Sequence, residues 1–344
     1  MHIGAHALAN NLFVAPMAGV TDRPFRQLCR RLGAGHAVSE MISARPELRD
    51  SPKTARRSNH DGETAPITVQ IAGTDAAMMA EAARHNIGRG AQVIDINMGC
   101  PAKKVCNAWA GSALMRDEPL ALAIVEAVVA ACAPHGVPVT LKMRTGWCHS
   151  ERNALRIARA AESAGVALLV VHGRTREQGY KGAAEYDTVA AVKAGSGIPV
   201  AANGDIDCPA KARQVLAYTG CDALMIGRAA QGRPWIFREI AHYLAHGVPA
   251  APPATREVQH WLLEHLHDHY ALHGEALGVR SARKHIGWAV RALPGGEAFR
   301  AVMNTLHDAR SQLDAVAAFF EHLAETHPLL PQPAANDALA LHAA

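Results

Sequence analysis

A cysteine stands between a glycine and a proline at Gly99-Cys100-Pro101, directly after the apolar run Val93 to Asn97. Glycine and proline are enough to make such a turn. Either the cysteine is filler, or the chain presents a thiol there. Other polar or conformationally special groups occupy comparable places, each at the end of a short apolar run. They are Pro16-Met17-Ala18, Glu40-Met41, Gln70, Asn97, Lys142 with Arg144, His172 with Arg174, Asn203-Gly204-Asp205 and Gly227-Arg228. Singly, each has an ordinary structural explanation, such as a loop amide satisfied or a turn made. Eight in succession exceed what strand stability asks for, which points to one assembled site.

The elements that position these residues are legible as alternation. Strands are expected at 12–16, 36–40, 67–71, 93–97, 139–143, 168–172, 199–203 and 223–227. Between them lie helical patterns, among them "TDAAMMAEAARHN" and "ERNALRIARAAESAG", the second stopped by a glycine. Eight strands with intervening helices predict a (β/α)₈ TIM barrel. An open doubly wound sheet is the alternative. It would place a GxGxxG after the first strand, where this chain has "PMAGVTD". Barrel enzymes build their sites at the C-terminal strand ends, and every group above sits at such an end.

Hydrophobic residues make up 49% of the 344 and aromatics 5%, so aliphatic side chains carry a core of domain size. The barrel is expected over residues 1–247, followed by a Pro/Ala linker at 248–255, a helical domain at 256–327 and a disordered tail at 328–344. Half of the twenty histidines lie beyond residue 250, at irregular spacing that reads mostly as solvated surface. The seven cysteines form no CxxC pair, so free thiols and no metal site are expected. Neither a signal-peptide pattern nor an uninterrupted apolar run of about 18 residues is present, so a cytoplasmic protein off the membrane is expected. Nothing calls for an obligate protein partner. A formal net charge of +4 permits a nucleic-acid partner without requiring one.

The loops after the last two strands, "ANGDI" and "IGRAAQGRPW", combine glycines with Arg228 and suit a phosphate. With Lys142, Gln70 and the backbone of "APMAG" they suit FMN, whose reduced ring is anionic. A phosphosugar fits nearly as well.

The pieces "APMAGVTDRPFR", "QIAG", "DINMGCPAKKV", "LKMRTGW", "HGRTREQGYKG", "ANGDI", "IGRAAQGRPWIF" and "RKHIGW" occur in the order found in the tRNA-dihydrouridine synthases, which the chain resembles from about residue 11 to 290. The runs "NMGCPAKKV", "GWCHSERNA" and "RTREQGYKG" look most like the bacterial B subtype. The resemblance implies an FMN barrel and a helical tRNA-binding domain, and reduction of the 5,6 double bond of a D-loop uridine in tRNA with NADPH as the usual electron source. It assigns FMN to Pro16, Met17, Ala18, Gln70, Lys142, His172, Asn203, Gly204, Asp205, Gly227 and Arg228. It assigns the uridine pocket to Asn97 and Arg144, and proton donation to Cys100. A thiol of pKa about 8.5 stays protonated near neutrality yet is acidic enough to donate, which suits a general acid. The target base has to leave its stack to reach the flavin. A local basic patch of Arg280, Arg283, Lys284 and Arg291 suits phosphate contacts, in a domain that otherwise carries more acidic than basic residues. Competing readings are a barrel reductase of a free pyrimidine or enone, an RNA-binding protein without chemistry, and an aldolase using Lys142 as a Schiff base.

Overall fold

The computed structural model describes residues 1–107 and 109–331. All eight expected strands form: β1 (Leu12–Val14), β2 (His36–Ala37), β3 (Thr68–Ala72), β4 (Val93–Met98), β5 (Val139–Arg144), β6 (Leu168–His172), β7 (Val200–Asn203) and β8 (Ala223–Ile226). Neighbours pair in parallel from β3 to β8, and β8 pairs with β1, which pairs with β2. A parallel bridge between Val38 and Thr68, with the Ser39 amide donating to the Thr68 carbonyl at 3.1 Å, joins β2 to β3 and closes the barrel. A two-residue strand, Ile42–Ser43, adds to the upper end of β3.

Residues two apart share a face of a strand, and the barrel interior follows that rule in layers. Phe13, Val38, Val93, Leu168, Val170, Ala201, Ala223 and Met225 form one inner apolar cluster. Ile3 and Leu8 join it from an N-terminal hairpin, His2–Ile3 against His6–Ala7, which the sequence reading did not anticipate. The next inward positions toward the C-terminal ends are polar: Asp95 and Asn97, Lys142 and Arg144, His172, Asn203. The barrel is therefore floored by hydrocarbon and lined by hydrogen-bonding groups at its mouth.

Helices α1 (Arg23–Arg31), α2 (Ala76–Gly88), α3 (Glu118–Cys132), α4 (Ala154–Ser163), α5 (Asp187–Ala194) and α6 (Pro209–Thr219) cover the outer face of the barrel. The stretch Glu118–His135, which contains α3, is long and apolar enough to cross a membrane by composition. Its buried residues Ala121, Ile124, Val125 and Val128 recur at helical spacing as the inner stripe of a barrel helix. Buried Arg26 on α1 bonds both carboxylate oxygens of Glu63, the Thr21 carbonyl at 2.7 Å and the Asn59 carbonyl at 3.2 Å.

By packing, the chain divides into Met1–Gly227 and a second unit from Arg228 onward, whereas composition drew the line at Gly247. The second unit consists of α7 (Ile236–His246), α8 (Thr255–His273), α9 (Glu275–Val290), α10 (Gly296–Met303) and α11 (Ala309–Thr326). Leu262, Leu266, Val279, Ala282, Ile286, Val316 and Phe320 form its core. Buried Gln312 accepts from the Tyr270 hydroxyl at 2.8 Å and donates to the Val279 carbonyl. The histidines of this unit are not all solvated. His265, His269 and His285 are buried, with the His265 and His285 ring centroids 4.9 Å apart, and His269 Nε2 lies 2.7 Å from Ser281 Oγ. Helical spacing between 265 and 269, plus a facing helix, collects rings that look scattered along the chain. The expected tail begins in pairing: the Thr255 amide donates to the Pro328 carbonyl and the Leu330 amide to the Pro253 carbonyl. The rest of that expected tail, 332–344, lies outside the described residues.

Candidate active site

Strand register brings the mouth residues side by side. Gln70 aligns with Asp95, Asn97 with Lys142, and His172 with both Arg144 and Asn203. From these pairs a directed chain of hydrogen bonds runs up to the cysteine turn. Asp95 accepts from Thr140 Oγ1 at 2.6 Å and from Gln70 Nε2 at 2.6 Å. Because a carboxylate only accepts, it fixes the Gln70 amide with its oxygen outward. That oxygen accepts from Asn97 Nδ2 at 2.7 Å, which leaves Asn97 Oδ1 to accept the Cys100 amide at 3.0 Å and the Gly99 amide at 3.2 Å.

The same turn is held from other directions. Arg144 Nε donates to the Gly99 carbonyl at 2.7 Å, and Nη1 donates to the carbonyls of Thr175 and Gly179, each at 2.9 Å. Ser112 Oγ donates to the Cys100 carbonyl at 2.8 Å, and Cys106 Sγ lies 3.5 Å from that carbonyl. Gly111, at φ +62°, passes so close that a Cβ there would sit 2.9 Å from the Cys100 oxygen. The backbone of Cys100 is thus tied on both sides, while its side chain stays partly exposed.

Burial sets the charge states. It pushes the Cys100 thiol above its ordinary value, against the Ala102 amide and the nearby cations Arg144 and Lys142. It lowers Lys142 to about 8, with the like charge of Arg144 acting in the same sense and Asp95 opposing. It raises Asp95 to about 6, against the bonds from Thr140 and Gln70 and the charge of Lys142. Lys142 is 8% exposed and its Nζ donates to Asn203 Oδ1 at 2.9 Å. Among the described residues it makes no ion pair. A buried ammonium held by one neutral amide is chemically suited to an anionic ligand.

The other expected site residues divide by what already occupies them. The Met17 amide donates to Thr21 Oγ1 at 2.8 Å, so that N–H is engaged within its own turn, whereas Pro16 and Met17 are half-buried and Ala18 is exposed. Gly204 has φ +120°, and a Cβ there would lie 2.9 Å from Ala184 Cβ and 3.0 Å from His172 Cδ2. Asp205 Oδ2 accepts from Arg174 Nη2 at 2.6 Å and from the Ala184 amide at 2.7 Å, so its carboxylate holds the loops after β6 and β7 together. His172 Nε2 lies 3.4 Å from Arg174 Nη1. Gly227 ends the barrel unit within 3.5 Å of Ala15 by its would-be Cβ, and Arg228 opens a short turn, Arg228–Ala230, of the second unit.

In that second unit Arg280 is exposed on α9, and Arg283 Nη2 donates to the Leu306 carbonyl at 3.1 Å, so part of Arg283 serves the helical fold. Arg291 lies just past the helix, as its C-cap. Asp95 and Thr140 were missed from the sequence. The available signal was a carboxylate two residues before Asn97, and hence on the same inward face of the strand.

Comparison with known proteins bears on the fold and on the family. The solved structures of morphinone reductase (TM-score 0.52, 13% identity, 74% of this chain and 90% of that one) and of a 2-naphthoyl-CoA reductase complex (TM-score 0.56, 13% identity, 100% and 72%) share the fold. The tRNA-dihydrouridine synthase B of Pseudomonas aeruginosa is 59% identical over 322 residues, covering 93% of this chain and 96% of that protein. That of Xanthomonas axonopodis pv. citri is 55% identical over 338 residues, covering 98% and 100%. The family model for dihydrouridine synthase matches residues 13–324, from the second residue of β1 through most of α11, and the chain belongs to the dihydrouridine synthase family.

Proposed function

We propose that this protein reduces the 5,6 double bond of a uridine in tRNA, in the cytoplasm, with FMN at the barrel mouth and NADPH as the electron source. The observation that carries the reading is a partly exposed thiol on a clamped turn near a buried lysine that has no ion-pair partner among the described residues. When bound, FMN supplies a hydride to carbon 6 of the base. This chain's residues do the rest. Cys100 gives a proton to carbon 5, and its raised pKa keeps the proton on sulfur until it is needed. Lys142 offsets the negative charge of the reduced cofactor.

Gln70, Asn203 and Gly204 are proposed to line the cofactor site with Pro16, Met17, Ala18 and His172, and Gly227 and Arg228 to serve its phosphate. Asp205 acts there as a positioning residue through Arg174. Asn97 both orients the Cys100 turn and faces the uridine. Arg144, with Nε and Nη1 committed to backbone carbonyls, offers Nη2. Arg280, Arg283 and Lys284 are proposed as tRNA contacts of the helical unit, a D-loop uridine being the target.

The test is to map dihydrouridine in tRNA from a deletion strain and from the same strain complemented. Wild type should restore the missing modification, and Cys100→Ala should not. Undiminished dihydrouridine in the deletion strain would refute the proposal. Turnover of free uridine as fast as that of tRNA would favour a free-pyrimidine reductase instead.

A further inference from the structure

The loops after β4, β5 and β6 gather a second group of side chains on the rim that carries Cys100. Trp109 follows the short helix Lys103–Cys106, and its amide donates to the Cys106 carbonyl at 2.9 Å. Trp147 lies three residues beyond Arg144, on a tight loop where its amide donates to the Glu151 carbonyl at 3.1 Å. Gly146 packs so closely there that a Cβ would fall 2.0 Å from the Glu151 oxygen. The Arg176 amide bonds the Gly146 carbonyl at 2.9 Å, which ties the third loop to the second. The Arg116 guanidinium lies 4.8 Å from the Trp147 ring centre and 5.6 Å from that of Trp109, and Arg176 lies 4.7 Å from Trp147. Together they line a cavity of about 390 Å³.

Three features set this cavity apart from ordinary surface. First, two guanidinium groups lie over the same indole ring with no carboxylate paired to either among the described residues. Arg26, Arg57, Arg152, Arg156 and Arg174 of the same unit pair with Glu63, Glu40, Glu185, Glu118 and Asp205. Arg116 and Arg176 meet no carboxylate among the described residues, and Arg176 Nε is buried without a hydrogen-bond partner. Second, Trp109 is 52% exposed, a large aromatic face left in water. Third, Trp109 has φ +55°, a conformation a bulky side chain adopts only when its surroundings impose it.

Aromatic faces interleaved with unpaired arginines fit single-stranded nucleic acid, which offers a base to stack and a phosphate to pair. We propose that this cavity holds one unstacked nucleotide of the tRNA other than the uridine that is reduced, with its base against Trp109 and its phosphate on Arg116 and Arg176. The proposal rests on the tRNA reading above. It gives the extruded strand a second anchor next to the Cys100 turn.

The experiment compares the holoenzyme with Trp109→Ala, Trp109→Phe and Arg116→Ala. It measures tRNA affinity across a salt series and the quenching of tryptophan fluorescence by tRNA. Trp109→Ala should weaken tRNA binding roughly 5- to 100-fold, the range of one base–aromatic stack, and Trp109→Phe should recover most of it. Arg116→Ala should reduce the slope of log affinity against log salt by about 1. Wild-type affinity and slope in both alanine variants would overturn the inference and leave the tRNA reading intact. A loss confined to KM for NADPH would overturn it in favour of a dinucleotide. A wild-type enzyme that forms no dihydrouridine in tRNA would remove the reading beneath it.

Discussion

Cys100 combines two properties that pull apart in most proteins: a backbone tied on both sides and a side chain still partly open. Rigid placement matters because a general acid acts only within hydrogen-bond reach of the atom it protonates. Cys100→Ala removes the proton and leaves the turn, since the tying bonds are made by backbone atoms. It should lower the rate of dihydrouridine formation about 10²- to 10⁴-fold in single-turnover assays that start from reduced enzyme. Asp95 is the other residue whose environment predicts a measurement. Its pKa of about 6 lies above the ordinary 3.8, so between those values the folded protein holds a proton that the unfolded chain has released. Stability therefore falls as pH rises through this window, by roughly 3 kcal/mol at full ionisation. Urea denaturation across pH should show this loss in the wild type and not in Asp95→Asn.

At the scale of elements, the loops of the mouth are fastened by buried polar groups rather than by hydrocarbon. Arg26 is the clearest case. From α1 it reaches the Thr21 carbonyl, at the end of the Met17 turn, and also Asn59 and Glu63. Burial alone would raise the Glu63 carboxyl, but its bonds to His60 and Arg26 bring it below the usual value. Arg26→Ala strands that carboxylate and should cost about 3–5 kcal/mol of unfolding free energy by denaturant titration. Lysine at this position should recover little, because one ammonium cannot reproduce the forked contacts. Glu40 ties the next loop in the same way, accepting the Gly19 amide and pairing with Arg57 at 3.2 Å.

For the whole molecule, the proposed function asks one barrel mouth to serve both NADPH and a macromolecular substrate. The sequence offers no dinucleotide fingerprint of its own for NADPH, so the two substrates are expected to visit in turn. Initial rates at several fixed tRNA concentrations should give parallel double-reciprocal lines against NADPH, and flavin reduction should proceed without tRNA. Intersecting lines that require a ternary complex would contradict this order.

The chain's own order of residues determined the eight strands, the barrel and the polar character of its mouth. These follow from short-range periodicity, which a linear reading captures: apolar runs of strand length, helical spacing between them, and a polar group at each run's end. Folding decided which of those polar groups meet. Asp95 looks like a misplaced charge within an apolar run until register sets it beside Gln70 and Thr140. His265, His269 and His285 look like surface residues until two helices face each other. Trp109 and Arg116, Trp147, and Arg176 stand on three separate stretches of chain with no common period, and only the closing of the barrel puts their loops on one rim. The physical reason is the same in each case: a hydrogen bond, a stacked ring or an unpaired charge depends on distance in space, and periodicity along the chain carries that information only within a single element.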